Sequence, residues 1–307
     1  MTASSVYAGN KAHFDPNRTY AELRVGAKRS MRLRRVKVMG YSLRVAIWPG
    51  RAEAHTPLVL FNGIGARLEL LEPFADELGD LETIAIDVPG TGKSSLPMHP
   101  YRMWMLVILM QRVLTKLGYE QVDVLGVSWG GTLAQQFALQ NPKRCRRLIL
   151  CATGQGMPMI LDPRILLKFI TPRRFNDPVY RRKIAGEIYG GAARNQPGLI
   201  REIGPRMMPT SKFGYLMQQL AISGWTSLPW LPLLKQPVLI MAGNDDPVIP
   251  LINAQIMSKL IRNCRLHEVN DGHLFLVSDP VGSSQVIREF LDSPQNKVSK
   301  AALGNKA

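Results

Sequence analysis

One stretch constrains this chain more than any other: Val124-Leu125-Gly126-Val127-Ser128-Trp129-Gly130-Gly131, followed directly by Thr132-Leu133-Ala134-Gln135-Gln136-Phe137-Ala138. It reads as a buried strand, a tight turn and a helix. The turn has the form Gly-x-Ser-x-Gly, a nucleophile elbow, in which a sharp strand-to-helix bend lifts one hydroxyl to the top of a parallel sheet. Gly126 and Gly130 flank Ser128 because a side chain at either place would crowd so sharp a bend. The helix that follows points its free N–H groups at the place where an oxyanion would form beside the serine, which makes the Trp129 amide one candidate donor. Such a match also arises by composition in unrelated chains, so its setting decides. Here a helical pattern leads into a strand pattern at 121–126, and small residues open the helix beyond the turn.

The rest of the sheet is predicted from apolar runs that end in loops rich in glycine or acid. A hairpin is expected over 34–47, turning at Met39-Gly40. A buried strand at 57–61 ends in Asn62-Gly63-Ile64-Gly65-Ala66, whose bare amides make Ile64 the candidate for the second oxyanion N–H. The strand at 83–86 ends in Asp87-Val88-Pro89-Gly90-Thr91-Gly92-Lys93-Ser94-Ser95. Gly92-Lys93-Ser94 looks like the end of a P-loop, but Asp87 stands where that motif needs glycine and the following prolines stop the helix it needs. A surface turn is expected instead. A helix over 101–117 should stop at Gly118, and a strand at 147–151 follows the elbow helix.

Composition shifts at 152–154, and to about 236 the chain is rich in Pro, Met, Arg and aromatics, with helix-like pieces at 164–170 and 179–188. A helical cap inserted between strands fits this pattern, and it would exclude water from Ser128 and shape an acyl pocket. Met157, Met159, Met207, Met208 and Met217 are candidates for its adaptable walls, or for ordinary core. The sheet resumes at 237–242 and ends in Asp245-Asp246-Pro247. Of these two carboxylates Asp246, just before Pro247, is the preferred partner for an imidazole, and Asp245 is expected to cap or solvate the loop. After a helix at 251–261 and a strand at 265–269 comes Asn270-Asp271-Gly272-His273. His273, on a loop that can swing over the elbow, is the candidate base; His13, His55 and His99 lie in polar or proline-flanked stretches and His267 within a strand. The order Ser128, Asp246, His273 is that of α/β-hydrolases and of no other common serine-hydrolase fold.

The fold expected is therefore α/β, an α/β-hydrolase fold with a mostly parallel central sheet, helices on both faces and an inserted helical cap. Residues 31–153 and 237–293 would form the core, 154–236 the cap, 1–30 a flexible basic arm and 294–307 a flexible tail. With 46% hydrophobic residues among 307, a large core is available. No signal-peptide pattern opens the chain, and no apolar run approaches the roughly 20 residues needed to span a bilayer. Three cysteines without metal spacing suggest buried thiols in a reducing, cytoplasmic setting. No metal or cofactor is expected.

The formal charge is +16, with seven basic residues and no acid in 24–37 and a second cluster at 143–147. Such patches suit anionic surfaces, or simply a solvated face. No zinc-finger, RNP or basic-zipper pattern accompanies them, so nucleic acid is not an expected partner.

With these residues placed, the chain resembles the intracellular medium-chain-length polyhydroxyalkanoate depolymerases, a branch of the α/β-hydrolases. The likeness runs from about 58 to 276. It is carried by Phe61-Asn62-Gly63-Ile64-Gly65-Ala66, Asp87-Val88-Pro89-Gly90, Pro100-Tyr101-Arg102, Gly126-Val127-Ser128-Trp129-Gly130-Gly131, Ala134-Gln135-Gln136-Phe137-Ala138, Ile188-Tyr189-Gly190-Gly191-Ala192, Gly224-Trp225-Thr226-Ser227, residues 245–253 and Asp271-Gly272-His273-Leu274-Phe275-Leu276. The elbow alone fits many enzymes; Trp129 within it, together with the cap and C-terminal strings, is far more specific. The resemblance implies hydrolysis of a storage polyester at the granule surface inside the cell, with Ser128, Asp246 and His273 as triad. The basic arm and Lys-rich tail depart from the family pattern, and the basic patches are candidates for attachment to an anionic granule surface. The competing readings are a small-molecule carboxylesterase or lipase on the same site, and a basic surface-binding protein with an idle triad.

Overall fold

A computed structural model of the chain describes residues 28–50, 55–171, 173 and 177–294. Most of the expected arm at 1–30 and nearly all of the tail at 294–307 lie outside the described residues.

Eight strands form one sheet: β1 (Arg32–Val38), β2 (Tyr41–Trp48), β3 (Leu58–Phe61), β4 (Thr83–Ile86), β5 (Val122–Val127), β6 (Cys145–Cys151), β7 (Val238–Gly243) and β8 (Cys264–Val269), in the order β1-β2-β4-β3-β5-β6-β7-β8. β2 runs antiparallel to β1 and β4, and every pairing from β4 to β8 is parallel. The central strands read as unbroken apolar runs because both faces are covered. Val59 and Phe61 of β3 point into one core with α2 (Met103–Leu117) and α3 (Trp129–Gln140). Leu58 and Leu60 point into the other, with Phe74 of α1 (Glu72–Glu77) and with Ile287 and Phe290 of the helix Pro280–Asp292.

The local chemistry matches the local structure at several turns. Val38 pairs with Tyr41, so the β1–β2 turn has two residues, and both take positive φ: Met39 at 49° and Gly40 at 80°. That is the turn whose twist suits a hairpin, and it forces a methionine into a region that non-glycine residues seldom occupy. Helix α2 stops at Gly118, φ 87°, whose N–H returns to the carbonyls of Leu114 and Thr115.

Between β6 and β7 the chain is helical: Pro163–Ile170, Pro178–Tyr189, Gly191–Asn195, Pro197–Met207, Lys212–Ile222 and a 3-10 turn at Leu228–Leu233. Its prolines mark helix starts. Pro163, Pro178 and Pro197 are first residues, where no N–H is needed, and the carboxylates of Asp162 and Asp177 cap two of these helices. A bridge between Gly156 and Thr226 ties the two ends of the insert together. Ile184, Ile188, Leu199 and Ile203 pack with Leu70 and Leu274 in a third core, which joins the insert to the loops after β3 and β8.

The two basic clusters differ in what the fold does with them. Arg32, Arg34, Arg35 and Lys37 stand exposed on the edge strand β1, whereas Arg29 donates to the carbonyls of Pro49, Ala75 and Leu81. In the second cluster Arg146 pairs with buried Asp123, and Arg147 is itself buried, donating to the Phe290 and Ser293 carbonyls with its guanidinium over the Phe290 ring. Much of the 143–147 run is thus structural rather than a free patch.

Candidate active site

Ser128 joins β5 to α3 with φ 52° and ψ −120°, a conformation that costs energy in a non-glycine residue and persists only when its surroundings impose it. The imposing contacts are specific. Ser128 N–H donates to the Cys151 carbonyl (2.9 Å), and the Thr153 hydroxyl donates to the Ser128 carbonyl (2.7 Å). A Cβ on Gly126 would stand 2.3 Å from the Gly130 carbonyl oxygen, and one on Gly130 would stand 2.1 Å from that of Phe61 at the end of β3. The flanking glycines are therefore required by the helix start on one side and by the neighbouring strand on the other.

The loop after β3 lies against the elbow: a Cβ on Gly63 would be 3.7 Å from that of Ser128. Asn62 shapes this loop by accepting the Gly63 N–H and donating to the Arg67 carbonyl, 2.8 Å each. Among the described residues, neither the Ile64 N–H nor the Trp129 N–H, at the first turn of α3, donates within the protein.

Asp246 and His273 meet at the neighbouring strand ends. Asp246 Oδ2 is 2.7 Å from His273 Nδ1, and its Oδ1 accepts the N–H groups of Val248 and Ile249 at 2.9 Å. Both side chains are buried. With Nδ1 committed to the carboxylate, Nε2 is the ring nitrogen that the Asp246 carboxylate does not engage. Ser128 and His273 line one small cleft of about 60 Å³ together with Asn62, Gly63 and Ile64. No hydrogen bond joins Ser128 to His273 among the described residues, and such bonds commonly tighten only when substrate binds. Asp245 points elsewhere, accepting from Gly191 N–H and from Arg194 of the insert. His55 sits near Asp80 and Asp292, His99 is exposed, and burial, helped by Arg265, holds the His267 imidazole on β8 below its ordinary pKa; His13 lies outside the described residues.

Two contributors were not among the candidate site residues, although the first lies in a string that carries the family resemblance. Tyr189, in the insert, accepts the His273 N–H through its carbonyl (2.7 Å) and stacks its ring on the imidazole. Gly272 lets this happen, since a Cβ there would lie 2.1 Å from the Tyr189 carbonyl oxygen. The second is Gln218, buried in the helix Lys212–Ile222.

On the other side of Ser128 is an apolar cavity of about 510 Å³, walled by Met157, Met159, Ile165, Tyr215, Ile222 and Val248 among others. Of the five candidate methionines, Met157 and Met159 line this cavity and Met207 the small cleft, while Met217 packs in the core and Met208 meets the Arg181 guanidinium. The P-loop-like turn holds no phosphate cradle. It wraps the Asp87 carboxylate, which a Cβ on Gly92 would meet at 1.9 Å, and Asp87 in turn accepts the Leu68 N–H and faces Arg44. This turn is more buried than a plain surface turn.

Strand order, elbow and strand-end carboxylate and imidazole together define an α/β hydrolase, and the family model described as alpha/beta hydrolase fold matches residues 56–188. A poly(3-hydroxyalkanoate) depolymerase of Ectopseudomonas oleovorans is 46% identical over 86% of this chain and 94% of its own. The chain belongs to that depolymerase family and is a carboxylic ester hydrolase. A more distant relative is 3-oxoadipate enol-lactonase 2 of Acinetobacter baylyi, 24% identical over 78% of this chain and 90% of its own. Among solved structures, the enol-lactonase of Burkholderia xenovorans LB400 superposes with a TM-score of 0.73 at 22% identity, covering 85% of this chain and all of the other, and so shares the fold.

Proposed function

We propose that the chain depolymerises medium-chain-length poly(3-hydroxyalkanoate) storage polyester inside the cell, through a Ser128–His273–Asp246 triad and an acyl-enzyme. Ser128 Oγ attacks the ester carbonyl while His273 Nε2 takes its proton. The tetrahedral oxyanion is held by the Ile64 and Trp129 N–H groups, each such donor being worth about 3 kcal/mol in the transition state. His273 then returns the proton to the leaving alcohol, and Asp246 keeps the imidazole in the required tautomer and stabilises its charged form. Water repeats the sequence on the acyl-enzyme and releases a 3-hydroxy acid.

The observation that carries this reading is the buried Asp246–His273 pair at 2.7 Å, in one cleft with a serine held at positive φ. The apolar cavity beside Ser128 suits an alkyl side chain, and residues 154–236 act as the cap that keeps it dry. The 46% identity with a depolymerase supports the polymer as substrate. Three buried free cysteines suit a reducing cytoplasm, and among the described residues no helix is long and apolar enough to cross a membrane. Leu167, Val179 and Phe213, exposed on the insert, suit contact with a hydrophobic granule, and the basic edge of β1 suits an anionic coat upon it.

Purified enzyme should clear a suspension of medium-chain polyester and release 3-hydroxy acids. Hydrolysis of short p-nitrophenyl esters without any release from polymer would make it a small-molecule carboxylesterase instead.

A further inference from the structure

Gln218 lies in the helix Lys212–Ile222 of the insert and is 1% exposed. Three strand-end loops of the core converge on it. Its side-chain carbonyl accepts the N–H of Gly65, the residue after Ile64, at 2.7 Å. Its side-chain amide donates to the Thr91 hydroxyl, in the loop after β4, at 2.5 Å. Its main-chain carbonyl accepts the indole N–H of Trp129, in the elbow after β5, at 3.0 Å. The helix carrying it is seated by close backbone approach: a Cβ on Gly90 would fall 2.4 Å from the Gly214 Cα, and one on Gly65 would fall 3.1 Å from the Tyr215 ring. One buried residue of the inserted segment thus ties together the two loops that carry Ile64 and Trp129, the first through its side-chain carbonyl and the elbow through its main-chain carbonyl.

We infer that Gln218 is a positioning residue that sets the spacing of the Ile64 and Trp129 donors, so the oxyanion site is complete only while the helix Lys212–Ile222 is seated. The inference rests on the reading of those two N–H groups as oxyanion donors. An oxyanion site works because its donors are already in place when charge develops. Gln218 touches no reacting atom, and acts by removing slack between two loops from different strands. A substrate segment bound against neighbouring Gln219, which lines the apolar cavity, is then coupled through the same helix to the donors.

Two variants test this: Gln218→Met, which keeps side-chain length and removes both side-chain bonds, and Thr91→Val, which leaves Gln218 in place but frees its amide. The readouts are kcat and KM on a soluble medium-chain p-nitrophenyl ester, corrected for active-site concentration, and the Kd of an alkyl boronic acid, whose tetrahedral adduct on serine puts an oxygen where the oxyanion forms. Complete removal of one donor costs about 100- to 1000-fold in kcat, so loosening the pair should cost roughly tenfold in Gln218→Met and about threefold in Thr91→Val. KM should stay unchanged and boronic acid affinity should fall in parallel with kcat. Unchanged kcat and boronic acid affinity per active site, even with a lowered Tm, would overturn the role of Gln218. Should Gln218→Met fail to fold, Thr91→Val decides by the same two readouts. Wild-type enzyme binding the boronic acid no better than the matching alkyl alcohol would overturn the oxyanion reading itself and this inference with it.

Discussion

Asp245 and Asp246 are neighbours in sequence, and burial gives them different work. Asp246 is enclosed and accepts three hydrogen bonds, one of them from His273, whereas Asp245 is 43% exposed at its side chain and ties down the insert through Arg194 and Gly191. Asp246→Asn is expected to lower kcat by about 10⁴ with little change in KM, because the amide leaves the imidazole in the wrong tautomer. Asp245→Asn, outside that network, should change kcat less than about twofold, since one exposed ion pair is worth little. Steady-state kinetics on one ester decide it, and an equal loss in both variants would contradict the assignment. Ser128, Asp246 and His273 could be singled out in the sequence because each follows a strand, at the rim of a parallel sheet where loop side chains gather. Gln218 could not, because it reaches that rim from a segment whose placement is set by packing alone, and Tyr189, although it lies in one of the strings that carry the family resemblance, gave no sign of its place beside His273. Arg147 was misread for a related reason: a basic run gives no sign of which guanidinium the core will enclose.

At the scale of elements, strands were the readiest feature to see. β4 lies at 83–86 as expected, and β3, β5 and β7 differ from expectation by a residue or so, since strands covered on both faces leave continuous apolar runs. Short helices such as α1 and Gly191–Asn195 had no comparable signal; five or six residues cannot display a helical period, and tertiary contacts hold them. The Asp87–Arg44–Glu69 cluster joins three elements and carries a pH signature. Burial pushes the Asp87 carboxyl up to about 6, with the Leu68 N–H and Arg44 offsetting this only in part. An unfolded aspartate titrates near 4, so between about pH 4 and pH 6 the folded chain holds a proton that the unfolded chain has released. Stability from this group therefore falls as pH rises through that window. Asp87→Asn removes the dependence, so the Tm of wild type minus that of the variant should become steadily more negative across it. A difference that stays flat or rises would show that Asp87 is ionised in the folded protein throughout.

On the proposed reading the molecule combines a core that sets the chemistry with an insert that sets what reaches it. Its parallel strands deliver serine, carboxylate and imidazole to one rim, and the helices between β6 and β7 supply walls of the adjoining cavity and the backbone carbonyl that positions His273. The net charge says little about this division, since many arginines serve as internal ties while those of β1 remain exposed. On this reading one hydroxyl, that of Ser128, carries polyester hydrolysis. This assignment is tested most directly by treating the enzyme with a long-chain alkyl fluorophosphonate, mapping the adduct by mass spectrometry and following polyester hydrolysis in the same sample. A single adduct on Ser128 is expected, with loss of polymer hydrolysis in proportion to its occupancy. Full hydrolysis with Ser128 completely labelled, or inactivation by an adduct at another residue, would contradict it.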